Sequence, residues 1–233
     1  MLKSRQEIKQ IARERLRENH GAAILILLVY SIVAFGYGLL SSLSQLAGFY
    51  GIYWLIFLIG TPLLSVMLVN VEGECIKLYK GLPASVGAIF TGFSVNFWRK
   101  LGGMMWMFLW VMLWSFLLFI PGIIKGLAYS MTPFILAKHP EVKATEALKL
   151  SMRITDGYKG TLFVMYLSFL GWQLLSTLTL GILGIVFVTP YFFLTCAGYF
   201  VELRDHAIAN GKIRPEELGM PADVNGIGVK EEE

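Results

Sequence analysis

GTLFVMYLSFLGWQLLSTLTLGILGIVFVTPYFFLTCAGYFVE, residues 160–202, carries no charged side chain from Thr161 to Val201. A membrane-spanning helix needs about 20 apolar residues, and this run holds two, parted near Thr179 and Gly181. No stretch polar enough for a soluble surface interrupts it. Spans predicted at 160–178 and 182–201 therefore set the fold class, an all-α membrane bundle.

The same reading extends upstream. Spans are predicted at 22–43, 50–71, 101–120 and 123–137, which makes six. The 233 residues are 56% hydrophobic and 15% charged, against about 25% charged in a soluble domain. Mean hydropathy is +0.63. Three parts follow: an amphipathic N-terminal helix at 1–20, a six-span domain at 21–204, and a mostly disordered tail at 205–233, rich in glycine and proline and closed by glutamates. The charged opening does not read as a secretory signal, because the apolar run after it is too long and no small-residue cleavage site closes it.

Three segments between the spans carry helical amphipathic patterns. In the first, Ser4 and Glu7 have capping-box spacing. Ile8, Ile11, Ala12 and Leu16 share one face there, and Arg5, Lys9, Arg13 and Arg17 another. In the second, Leu82, Val86, Ile89, Phe90, Phe93 and Phe97 form a stripe, with Pro83 suited to the first turn. In the third, residues 140–155, Ala144, Ala147, Leu148, Ser151 and Met152 oppose Lys143, Glu146, Lys149 and Arg153, and Asp156-Gly157 supplies the stop. Such helices are expected at the membrane surface. Arg5, Lys9, Arg13, Arg17, Arg99, Lys100, Lys149, Arg153 and Lys159 are the candidate contacts to anionic headgroups. Glu72–Lys80 reads as a solvated helical extension of the second span.

The positive-inside rule orients the chain. Of 20 Lys and Arg, only Lys125 falls between spans on the far side, and all 16 acidic residues fall on the basic side. Both termini are then cytoplasmic. Lys125 reads as an interface anchor.

Three parallel units recur. Each has an amphipathic segment, an entry glycine (Gly21, Gly103, Gly160), a helical hairpin, and a Thr-Pro pair in its second span: Thr61-Pro62, Thr132-Pro133 and Thr189-Pro190. Gly103 to Pro133 and Gly160 to Pro190 both cover 30 positions. Proline inside a helix removes a hydrogen bond and kinks it. The three kinked helices are thus candidates to line a groove or to act as hinges, with Gln173 in the fifth span and Trp110 and Trp114 in the third. The alternative is that the kinks only shape packing.

Catalytic chemistry finds no footing. His20, His139 and His206 are far apart, Cys75 and Cys196 have no metal-ligand spacing, and Glu72 and Glu74 lack a nearby nucleophile or histidine. There is no GxSxG, HExxH or phosphate loop. No enzymatic activity, cofactor, metal or nucleic-acid partner is expected. Proton coupling through buried carboxylates is disfavoured, since no ionisable residue reads as deep in a span.

The ordered series FIPGIIKGLAYSMTPFILA (119–137), EALKLS (146–151), GYKG (157–160), LSFLGWQLLSTLTLGI (167–182) and TPYFFLTCAGYFVEL (189–203) resembles domain-of-unknown-function family 975, as does the opening SRQEIKQIARERLREN (4–19). The resemblance covers all but the tail. It implies a bacterial multi-pass protein of the cell membrane and brings no activity to carry over. The reading that results is a non-enzymatic binding or scaffold module in contact with the anionic inner leaflet, holding a lipid, a peptide or a partner protein. The alternative is a transporter or exporter of a hydrophobic or peptide cargo. Oligomeric state is left open.

Overall fold

The computed structural model describes residues 3–179 and 181–220, and all regular structure among them is helical. In chain order the helices are α1 (Arg5–Glu18), α2 (His20–Leu46), α3 (Tyr50–Tyr79), α4 (Val86–Thr91), α5 (Phe97–Leu117), α6 (Phe119–Tyr129), α7 (Thr132–Lys138), α8 (Ala144–Ile154), α9 (Lys159–Leu178) and α10 (Thr189–Ala209). A π-helical turn, Gly184–Val188, leads into α10, and a 3-10 turn, Pro215–Leu218, follows it. Six of these rods are long and apolar enough to cross a membrane: α2, α3, α5, α6 with α7, α9, and α10 with its π-turn.

Burial is concentrated at one end of the bundle. On α3 it begins at Ser65 and continues to Tyr79, and on α10 it runs from Pro190 to Ala207. The opposite end leaves large apolar side chains outward, with Leu46 90% exposed, Phe116 82% and Leu178 81%. Lipid tails solvate such residues as well as a protein core does, so only the polar backbone has to be satisfied within each helix. At 30 residues, α3 is about 45 Å long, against a hydrocarbon core of about 30 Å. Its surplus length lies in the packed end.

Several expected elements differ. The stripe from Leu82 to Phe97 is not one helix. Only α4 forms, capped by Ser85, and Asn96 (φ 54°) turns the chain into α5. Pro83, Gly87 and Gly92 within the stripe leave little helix propensity to hold a longer rod. The turn expected at Pro121-Gly122 falls earlier, at the extended Leu118, and Pro121 sits in the first turn of α6, where its missing N–H costs nothing. Pro62 is interior to α3, whereas Pro133 and Pro190 occupy the first turns of α7 and α10. For those two the fold uses proline as a helix start, after a turn at Ser130–Met131 and after the π-turn.

Part of the segment expected as a disordered tail is folded. Residues 205–220 are folded: α10 continues to Ala209, and Ile213, Leu218 and Met220 are buried. Arg153 of α8 grips Glu217 with two bonds, of 2.8 and 3.0 Å, and reaches the Lys212 carbonyl. The remainder of the expected tail lies outside the described residues.

Candidate functional site: a basic groove along α1

The α1 helix is started by the expected capping box. Ser4 Oγ accepts from the Glu7 N–H (3.3 Å), and the Ser4 N–H donates to Glu7 Oε2 (2.6 Å). The Ser4 N–H, and then the Ser4 hydroxyl, hold the Glu7 carboxyl below its ordinary range. Spacing of four then stacks Ile8, Ala12 and Leu16 on one stripe, and all three are buried. Their partners are α10 and α3 rather than lipid. Gly198 makes this approach possible, since a Cβ there would fall 2.9 Å from Ile8 and 2.5 Å from the Tyr79 ring. Lys3 pairs with Glu202 at 2.6 Å, Ile8 meets Gly198, and Arg13 lies over Tyr191. Ascending numbers on α1 thus meet descending numbers on α10, and the two helices are antiparallel. The α1 helix was expected to bury its apolar face in the bilayer surface. It buries that face in the bundle, because α10 offers a glycine-floored groove that fits it.

The adjoining stripe, Lys9, Arg13 and Arg17, borders a groove of about 460 Å³ with Tyr191 in its wall. A second groove of about 390 Å³ shares Arg13 and Arg17 and adds Leu16, His20 and Phe187. Lys9 donates to Ser168 Oγ of α9 (2.6 Å) and stands 4.7 Å over the Phe169 ring. Burial there, and then the nearby Arg5, lower its pKa. Arg13 stands 5.7 Å over Tyr191, a cation–π contact. Glu14, the one acid on the groove, accepts from Gln10 at 3.0 Å. Among the described residues no carboxylate pairs with Lys9, Arg13 or Arg17. The groove therefore offers cationic donors above an aromatic and aliphatic floor.

The other basic candidates divide. Arg5 and Lys149 are exposed, and Lys159 is half-buried. Arg153 holds the folded part of the tail. Arg99 donates to the carbonyls of Leu136, His139 and Val142 and so closes the C-terminal end of α7. Lys100, 6% exposed, donates to Asn70 Oδ1 and the Gly92 carbonyl. Arg99 is committed to protein acceptors rather than to a lipid surface, and Lys100 spends two of its three donors in the same way, because two helix ends beside α5 leave carbonyls that need donors.

The groove and hinge candidates are not gathered around one described cavity. Thr61 bonds the Tyr37 hydroxyl of α2 at 2.6 Å, Thr132 and Pro133 are buried at the start of α7, and Thr189 and Pro190 begin α10. Gln173 is exposed on α9. Trp110 stacks edge-on against Trp106, and Lys125 stands 4.9 Å over Trp114.

Glu72 overturns the expectation of a solvated face. It is 8% exposed, Oε2 makes no hydrogen bond, and Tyr30 of α2, Cys75, Tyr166 of α9 and Cys196 of α10 lie within electrostatic reach of it. With Lys100 and Arg204 also buried, ionisable groups do enter the bundle. No spacing in the sequence marks them: Asn70, Glu72 and Glu74 follow the apolar stretch of α3, and the helices that cover them are distant in the chain.

One family profile matches the chain, described as a protein of unknown function (DUF975), over residues 1–125 and 116–207. No curated protein and no solved structure matches.

Proposed function

The chain belongs to this family of proteins of unknown function, and from that premise we propose that it is a non-enzymatic binding module of a bacterial cell membrane, which holds an anionic phospholipid along α1. The observation that carries the reading is the α1 groove, with three cations that have no carboxylate among the described residues and a floor of Tyr191, Phe187 and Leu16. Guanidinium groups match phosphate oxygens in a bidentate fork, and the apolar floor suits the start of an acyl chain. In this reading both termini are cytoplasmic, as the placement of Lys and Arg supports. The spans form three hairpin units, with α2 packed on α3, α5 on α6, and α9 on the π-turn before α10. Native mass spectrometry of the full chain, extracted from nanodiscs of mixed phosphatidylglycerol and phosphatidylcholine, tests it. Retention of phosphatidylglycerol over phosphatidylcholine, lost in Arg13→Gln/Arg17→Gln, is the expected outcome. Equal retention of both lipids would sink it.

A second reading, transport, draws on Glu72. A carboxyl buried without a partner is costly to keep charged, and such groups in membrane proteins mark ion pathways. Proton flux into proteoliposomes, followed with a pH-sensitive dye, distinguishes it. Flux lost in Glu72→Gln supports transport, and flux no greater than in empty liposomes discards it.

A further inference from the structure

A second polar cavity lies away from α1, between α3, α4, the start of α5 and the end of α7. Its volume is about 230 Å³, and Asn70, Glu74, Lys77, Gly92, Lys100 and Lys138 are among the residues around it. We propose that this cavity binds a phosphate group, with Lys100 as its central donor.

Lys100 is the unusual member. Its side chain is almost wholly buried, yet among the described residues no carboxylate lies within ion-pair distance. Its Nζ donates to Asn70 Oδ1 at 2.7 Å and to the Gly92 carbonyl at 2.9 Å. An ammonium has three donors, so one is left beside the cavity that Lys100 lines. A buried cation met only by neutral acceptors is costly, and an anion supplied from outside removes that cost.

The acceptors are held in place. Asn70, also buried, spends its amide N–H on the Ile89 carbonyl (2.9 Å), which leaves its oxygen turned to Lys100. Gly92 packs so closely that a Cβ would fall 2.4 Å from the Asn70 amide. The one acid on the wall is already engaged. Glu74 Oε1 pairs with Lys77 at 2.7 Å and Oε2 accepts from the Ser85 N–H at 2.9 Å. Lys77 matches the Glu74 carboxylate, so the Lys100 ammonium leaves a net positive charge on the wall. The volume falls below the usual range for organic ligands, about 300–1,000 Å³, and fits a small anion. A phosphate group meets the charge, the size and the demand for acceptor oxygens.

That group has two sources, a free phosphate or a lipid headgroup. Phe90, Val95 and Trp98, 52%, 57% and 79% exposed, stand beside the cavity in sequence and offer an apolar surface for an acyl chain.

The test uses the full chain in the Arg13→Gln/Arg17→Gln background, so that the α1 groove does not contribute. Binding of inorganic phosphate is measured by calorimetry in detergent. Retention of phosphatidic acid is measured by native mass spectrometry after extraction from nanodiscs. Thr91→Glu sets a carboxylate on the exposed rim without touching the Lys100 bonds, and Lys100→Met removes the donor. Saturable phosphate binding identifies a free anion as the source. Phosphatidic acid retained at one per chain, with no phosphate binding, identifies a lipid. In either case Thr91→Glu weakens binding at least tenfold. Binding of neither probe, or equal binding by Thr91→Glu and the parent, overturns the proposal.

Discussion

Replacing Gly198 by alanine tests whether α1 is part of the folded bundle. A Cβ at 198 would lie 2.5 and 2.7 Å from two atoms of the Tyr79 ring and 2.9 Å from Ile8 Cγ2. The ring contact is about 1 Å closer than an ordinary carbon–carbon contact of about 3.5 Å. Neither neighbour has room to withdraw, since Tyr79 is 5% exposed and Ile8 1%. Overpacking of this kind costs about 1–3 kcal/mol. The change also removes a helical glycine, which by itself stabilises by about 1 kcal/mol. Gly171 of α9 cancels that second effect, because a Cβ there meets nothing within 4 Å. Gly198→Ala is therefore expected to be less stable than Gly171→Ala by about 1–3 kcal/mol, the packing cost alone. The assay is reversible unfolding of the full chain in mixed micelles, paired with hydrogen exchange read by mass spectrometry. Exchange across Arg5–Glu18 should quicken in Gly198→Ala and stay unchanged in Gly171→Ala. Equal stabilities would refute the packing of α10 against Tyr79 of α3, and unchanged α1 exchange would refute the docking of α1 on α10, so that α1 would belong to the membrane surface.

Two further outcomes follow from the packed end. Glu217, held by Arg153 and then by the Arg214 N–H, has its carboxyl pushed down to about 2. Its contribution is present above the unfolded value of about 4.3 and fades as pH falls through about 2. Both partners are partly exposed, so the pair is worth no more than about 1 kcal/mol. Glu217→Gln should speed exchange at residues 213–220 at pH 7, with the difference from wild type narrowing toward pH 2. Ser151, wholly buried, donates to the Ala128 carbonyl at 2.7 Å and accepts from the Met131 N–H at 3.2 Å, tying α8 to the break between α6 and α7. Ser151→Ala leaves Met131 without a partner and should cost about 1–3 kcal/mol in the same unfolding assay. Wild-type stability would show that the break does not depend on α8.

What the residue pattern determined by itself was the membrane class and the number of spans. Both rest on runs of apolar residues long enough to cross hydrocarbon, a property of local sequence that the bilayer reads without reference to neighbouring helices. The capping box of α1 was legible for a similar reason, since it depends only on spacing within one helix, and so was part of the α8 face: Ala147, Leu148 and Ser151 are buried as expected, whereas Ala144 and Met152 are half-buried and Leu150 and Ile154 are buried in their stead. The tertiary structure alone decided where the amphipathic faces went. A stripe such as Ile8, Ala12 and Leu16 needs an apolar surface, and spacing does not say whether lipid or protein supplies it. Gly198 and Tyr79, distant in the chain, supply it here. The same limit hid Glu72 and Lys100. Each follows an apolar or aromatic stretch where a solvated helix end is the ordinary reading, and only the convergence of α3, α4, α5, α9 and α10 at one end of the bundle removes water from them. Charge in a sequence records what a side chain carries, whereas its solvation is set by elements that meet it across space.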